Sequence, residues 1–197
     1  MNSEERRSYR MTNRAEAANA TAERILDAMT ELFWERPTDQ VVLRDVAERA
    51  GVTVQTVLRK YGGKEALLAA AADRAMSRTE AERAVSSGDV DTAIEVLLEH
   101  YEQVGAQVLR LLAEEVTSPT LAEFVARGRA LHQEWCATAF AEALAPLSGV
   151  ARQRRFAQLV AVCDVYTWKL LRLDSGLSRR QTQIALHELL GPLLPHR

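Results

Sequence analysis

Residues 43–64 read LRDVAERAGVTVQTVLRKYGGK, and their spacing is that of two short helices joined by a tight turn. Such a unit needs a small residue where the helices cross, a glycine at the turn and apolar residues behind the second helix. Ala47, Gly51, Val52 and Val57 fill those places. Gly51 can enter the left-handed region that ends a helix, and the Thr53 hydroxyl can cap the helix that follows. A second helix over Val54 to Tyr61 would bury Val57 and Tyr61, one turn apart, and present Gln55, Thr56, Arg59 and Lys60 outward. All four can donate hydrogen bonds, and no acid lies between Gly51 and Lys64. The spacing therefore predicts a helix-turn-helix, whose second helix reads base edges in the DNA major groove.

Helical periodicity continues on both sides, with no convincing strand, so the expected fold class is all-α. Upstream, Ile25, Leu26, Met29, Leu32 and Phe33 form the stripe of a first helix that Pro37 stops. Downstream, an alanine-rich fourth helix runs from about Lys64 past Met76, long enough to act as a lever. The expected division is a DNA-binding domain over residues 1–64, with a basic N-terminal arm, and a helical domain over 65–197. In the second domain Ile94, Leu97, Leu98, Tyr101, Val104, Val108, Leu111 and Leu112 share a face, which Gly105 is expected to divide into two helices. Ser118 and Pro119 mark the start of another helix, expected to end near Pro146. The next is predicted over Ala151 to Leu173 and is apolar almost all round between Leu159 and Leu171, as befits a helix covered on every side. Ser178 and Gln181 are spaced as the capping box of a last helix that Gly191 and Pro192 stop.

Composition narrows the function classes. The chain has 197 residues, 47% of them hydrophobic, a net charge of -2 and a pI near 6.1. That balance gives no general attraction to nucleic acid, so any DNA affinity must be local. Residues 1–64 carry 11 basic and 10 acidic side chains, a mild asymmetry that leaves the motif to support DNA binding. Cys136 and Cys163 read as reduced packing residues of a cytoplasmic protein. The first 20 residues lack the apolar run of a signal peptide, and the most apolar stretch, interrupted by Asp164 and Lys169, is too short to span a bilayer. No membrane partner is expected.

The sequence offers no phosphate-cradling glycine loop, no CxxC and no nucleophile elbow, so no enzyme activity, catalytic residue or cofactor is expected. His132 and Cys136 lie one turn apart, but two ligands fall short of the three or four that zinc takes, and packing is the preferred reading over a metal site. Tyr101, Phe124, Trp135, Phe140, Tyr166 and Trp168 fall on the helices of the second domain. They read either as core or as the lining of a cavity for an apolar small molecule. Asp164, an acid in so apolar a helix, calls for a basic partner or a cationic ligand.

Over ERILDAMTELFWER, the helix-turn-helix itself and YGGKEALL, about a quarter of the chain resembles the TetR family of one-component bacterial regulators. Such proteins usually repress transcription until a small molecule binds. The resemblance implies a double-stranded DNA operator, a small-molecule effector and a homodimer built from the last two helices, where DVYTWKLLRLDSGLSR looks like a dimerisation end. It places Arg44 at the edge of the DNA, Gln55 and Thr56 at base edges, and Lys60 and Lys64 at phosphates. Thr53 and Leu58 fall at further DNA-facing positions. Val42 stands where the family commonly has a hydroxyl residue, and Leu58 where it commonly has a phosphate-contacting tyrosine. Both remove hydrogen bonds to the DNA backbone and shift weight onto Arg6, Arg7, Arg10 and Arg14 of the N-terminal segment. A helical interaction module with a vestigial reader, regulated by a protein partner, is the alternative.

Overall fold

Alanine-rich, proline-free sequence over the first 35 residues favours a long helix, and α1 spans Ser3–Glu35. Its end at Pro37 follows from the missing N–H and the clash of the ring with the preceding turn. The computed structural model describes the backbone of residues 3–117 and 119–195, with side chains from residue 16 onward except residue 117. Arg6, Arg7, Arg10 and Arg14, expected on a flexible arm, fall instead within α1, and their side chains lie outside the described residues. So does the proposed cap Ser118.

A short 3-10 turn, Thr38–Gln40, leads into α2 (Leu43–Arg49) and α3 (Val54–Tyr61). α4 covers Lys64–Glu82. The chain forms two compact units, Met1–Ala75 and Met76–Arg197, so α1 to α3 fall in the first and the division lies inside α4. Ile25, Met29, Val46, Val57 and Leu67 form the fully buried centre of the first unit.

The second unit contains α5 (Val90–Glu114), α6 (Pro119–Ala139), the short α7 (Ala141–Leu144), α8 (Gly149–Val162), the single turn α9 (Val165–Trp168) and α10 (Arg179–Leu190). Its core gathers Ile94, Leu97, Leu98, Tyr101, Phe140, Leu159, Trp168, Leu186 and Leu190. No strand occurs among the described residues.

Three expectations about this unit are corrected. α5 runs unbroken through Gly105, because the glycine makes room for a ring rather than for a bend. A Cβ there would stand 2.6 Å from Cζ3 of Trp168. The helix from Pro119 ends at Ala139, earlier than Pro146, because Phe140 leaves helical geometry to start α7. The helix expected over Ala151 to Leu173 is broken after Val162, and the chain continues through α9 into a wide π turn, Lys169–Asp174.

That π turn is tied to α5. Glu102 accepts from Trp168 Nε1 (3.3 Å) and from Arg172 Nε and Nη2 (2.8 and 3.3 Å), while Arg172 Nη1 donates to the Leu177 carbonyl. Lys169 closes the turn onto Asp174. The Ser178 and Gln181 capping box forms as its spacing predicts.

Candidate functional site

The reader unit is held by contacts its sequence makes obligatory. Gly51 has φ +65°, and the Val52 N–H returns to the Ala47 carbonyl at 2.9 Å, so the chain reverses between α2 and α3 without strain. Val57 is fully buried beneath α3, and Tyr61, partly buried, donates its hydroxyl to the Ala22 carbonyl on α1. Arg49 grips Glu35 with both Nη atoms (2.6 and 2.9 Å), pinning α2 to α1. Thr53 caps α3 by accepting from the Thr56 N–H at 3.2 Å, and the two hydroxyls lie 3.0 Å apart. The spacing of residues 43–64 thus builds the predicted geometry.

The outward face of α3 presents Gln55, Leu58, Arg59 and Lys60, all exposed. Thr56 is half-buried beside its cap. Arg44 is free to solvent apart from a 3.7 Å contact with Asp45, and Arg36 already engages that acid at 2.6 Å. The Asp45 charge is therefore already paired by Arg36. Lys60 lies across α1 and donates to the Ala18 carbonyl at 3.1 Å. Lys64 donates at 2.6 Å to the Thr38 carbonyl, where it closes the 3-10 turn. Val42 begins α2 without a side-chain cap, and Leu58 exposes 37% of its surface, so the two departures from the family pattern are present as geometry.

In the second unit the aromatic candidates separate. Tyr101 and Trp168 pack together at 5.9 Å between centroids, and Trp135 meets Phe140 edge-on at 6.2 Å. Tyr101, Phe140 and Trp168 are buried in the core, and Phe124 stands outside it. Tyr166 is 53% exposed and lines, with Asp164, an open groove of about 570 Å³ that also includes Gln133, Phe156, Val160 and Thr167. The groove brings together Asp164 and Tyr166 and none of the other five candidates.

Asp164 needs neither a basic partner nor a cation. It occupies the N-cap of α9, where its carboxylate accepts from the Tyr166 N–H at 2.9 Å. A helix break with a capping acid looks, in sequence, like an acid inside one long helix.

A polar cluster that the aromatic pattern did not flag lies inside this unit. Arg83, just past the end of α4, is 6% exposed, and its guanidinium sits 4.5 Å above the Trp135 ring. Trp135 Nε1 donates to the Arg83 carbonyl at 2.7 Å, and Arg83 Nη2 is 3.3 Å from His132 Nδ1. His132 Nε2 lies 3.7 Å from Cys136 Sγ. Burial, then Arg83 and His132, push His100 down to about 4. A hydrogen bond from Cys163 and then one from His132 hold the Cys136 thiol below the usual thiol range. An arginine beyond a helix end reads in sequence as a solvated charge, so only the fold could reveal Arg83. Among the described residues no group of three or more His, Cys, Asp or Glu is arranged to hold a metal, and no helix is long and apolar enough to cross a membrane.

Comparison with known proteins agrees with this architecture. Residues 25–71 match the profile of the bacterial regulatory proteins of the tetR family. No curated protein sequence matches the chain. Among solved structures, SmeT in complex with triclosan is similar at 19% identity and a TM-score of 0.66, over 88% of this chain and 91% of that one. A TetR-family transcriptional regulator from Streptomyces coelicolor is similar at 22% identity and 0.54, over 90% and 99%. NalD, the secondary repressor of the MexAB-OprM multidrug efflux pump in Pseudomonas aeruginosa, is similar at 21% and 0.56, over 89% and 96%. Residues 25–71 thus match the N-terminal profile of the tetR family of bacterial regulatory proteins, and the chain has the all-helical fold of these solved regulators.

Proposed function

We propose that this chain is a dimeric repressor whose grip on a DNA operator is released when a small, mainly apolar molecule enters the second unit. The observation that carries the reading is the α2–α3 unit: its turn, cap and buried Val57 are in place, and Gln55, Arg59 and Lys60 stand exposed on the outward face of α3. Two such helices in a twofold dimer would enter successive major grooves about 34 to 36 Å apart. Support for an effector comes from the triclosan complex of SmeT, and support for repression from NalD. The effector must prefer the conformer whose α3 helices are wrongly spaced, since equal affinity for both conformers shifts nothing. The cationic effector suggested by the sequence loses its motive with Asp164 serving as a cap.

The dimer reading rests on an apolar surface at the end of the chain: Tyr166, Leu170, Leu173, Ile184 and Leu189 each expose about half of their area. Scattered exposed apolar residues need no explanation, but a group on consecutive elements marks an interaction surface.

The test is a salt titration of binding to the DNA upstream of the protein's own gene. Operator binding should fall steeply and linearly on a logarithmic plot as salt rises, and should exceed binding to unrelated DNA by at least a thousandfold, roughly the lower end for specific complexes. Equal affinity for both DNAs would favour the interaction module, for which uncapped Val42 and exposed Leu58 are the supporting observations.

A further inference from the structure

Arg83 poses a charge problem that its neighbours do not solve. The guanidinium is 6% exposed, and its Nε has no hydrogen-bond partner. No aspartate or glutamate among the described residues pairs with it, and the acidic groups near enough to influence it are Tyr101, Cys136 and Cys163. A phenol and two thiols are poor counter-ions. Burial pushes the Arg83 pKa down, yet arginine remains charged in proteins, so a guanidinium buried here without a carboxylate is destabilising. The neighbours register its field, since His100 is drawn down to about 4 by burial and then by Arg83.

The arrangement is that of half an ion pair. Trp135 covers one face of the guanidinium at 4.5 Å, and His132 takes one Nη2 hydrogen. The Nε–H is left without a partner, and in a guanidinium it forms with an Nη–H the fork that binds a carboxylate through two parallel hydrogen bonds. The apolar neighbour the guanidinium meets is Trp135, whose ring in turn packs edge-on against Phe140 in the core of this unit. A cation brought here would meet Arg83 and gain nothing.

We propose that the effector is an organic anion, a carboxylate on an apolar body, with its carboxylate paired to Arg83 and its body packed beside Trp135. The proposal rests on the effector-responsive reading above and specifies its ligand. Arg83 directly follows α4, the helix that begins in the DNA-reading unit, so the anion is bound one residue beyond an element shared by both units.

The experiment uses the full chain in thermal-shift and gel-shift assays. The probes are straight-chain carboxylates from short to long together with benzoate and larger aryl carboxylates, each paired with its methyl ester and with the amine of matching shape. At least one carboxylate should raise Tm and lower operator affinity while its ester and amine do neither. Arg83→Met, similar in length and uncharged, should weaken that carboxylate by about tenfold or more while leaving the ester unaffected. Where Arg83→Met does not fold, Arg83→Lys keeps the charge, loses the planar fork and should still weaken the carboxylate.

Three results overturn the proposal: no carboxylate exceeding its ester on the wild type, Arg83 variants that bind the carboxylate undiminished, or an amine or ester that alone releases DNA. In the last case the effector reading survives and the anion is wrong. If a protein partner and no small molecule changes operator affinity, the effector reading itself falls.

Discussion

At the scale of single residues, the reading face and the buried cluster make opposite demands. Gln55 is exposed and makes no contact that the fold depends on, so Gln55→Ala should leave Tm unchanged and cost about 1 to 3 kcal/mol of operator affinity, relaxing preference at one base pair. Gel shifts against operator variants check this. Lys64 differs, because its bond to the Thr38 carbonyl gives it a place in the fold as well as in the phosphate role its position suggested. His100 is the pH-sensitive counterpart. Its folded pKa of about 4 lies below the ordinary histidine value near 6.5 because of burial, then Arg83, then His132. Below pH 6.5 the unfolded chain therefore binds more protons than the folded one, and stability falls as pH drops from about 6.5 to about 4. Above pH 6.5 this contribution is complete. Tm measured across that window should decline in the wild type and decline less in His100→Gln, with Arg83, His132 and Tyr101 still facing the site in both.

At the scale of elements, Gly105 shows how two known magnitudes decide a sign. Glycine inside a helix costs about 1 kcal/mol relative to alanine, so Gly105→Ala should gain that much from propensity alone. The new Cβ would stand 2.6 Å from a Trp168 ring that is 4% exposed and held by Glu102. Overpacking of this kind costs about 1 to 3 kcal/mol, so the variant should melt lower than wild type. Trp168→Leu in the same chain should turn the substitution favourable. Thermal unfolding of the single and double variants provides the check. The same position marks where sequence ceased to be legible. Local signals with one physical reading survived folding: the turn at Gly51, the cap at Thr53, the Ser178 box, the stop at Pro37. Gly105 and Asp164 did not, because each has two readings in a helical sequence. A glycine admits a bend or a close neighbour, and an acid among apolar residues is a buried charge or a cap. Only the partner across the core decides between them.

At the scale of the whole molecule, the all-helical class and the DNA-reading unit were legible because both follow from short-range periodicity. Arg83, His100 and their surroundings were not, since they meet from different parts of the chain across long sequence separations. Assembly can now be tested at the right residue. Ile184 is 48% exposed, whereas Leu186 is 1% exposed in the core. Ile184→Glu should convert the proposed dimer into a folded monomer, seen by light scattering at unchanged helicity. Leu186→Glu should unfold the chain, since an uncompensated buried charge costs about 3 to 5 kcal/mol. A final consequence concerns the π turn beside that surface. The Ser175 and Leu177 amides bond to the carbonyls of Leu170 and Leu171 at 3.0 and 3.1 Å, outside any regular helix. Glu102, holding Arg172 from another helix, braces the turn together with the Lys169–Asp174 pair inside it. Hydrogen exchange at these two amides should therefore report on α5 as well as on their own segment. Glu102→Gln, weakening a partly buried bidentate pair by about 1 kcal/mol, should speed their exchange several-fold while the α10 amides keep their protection.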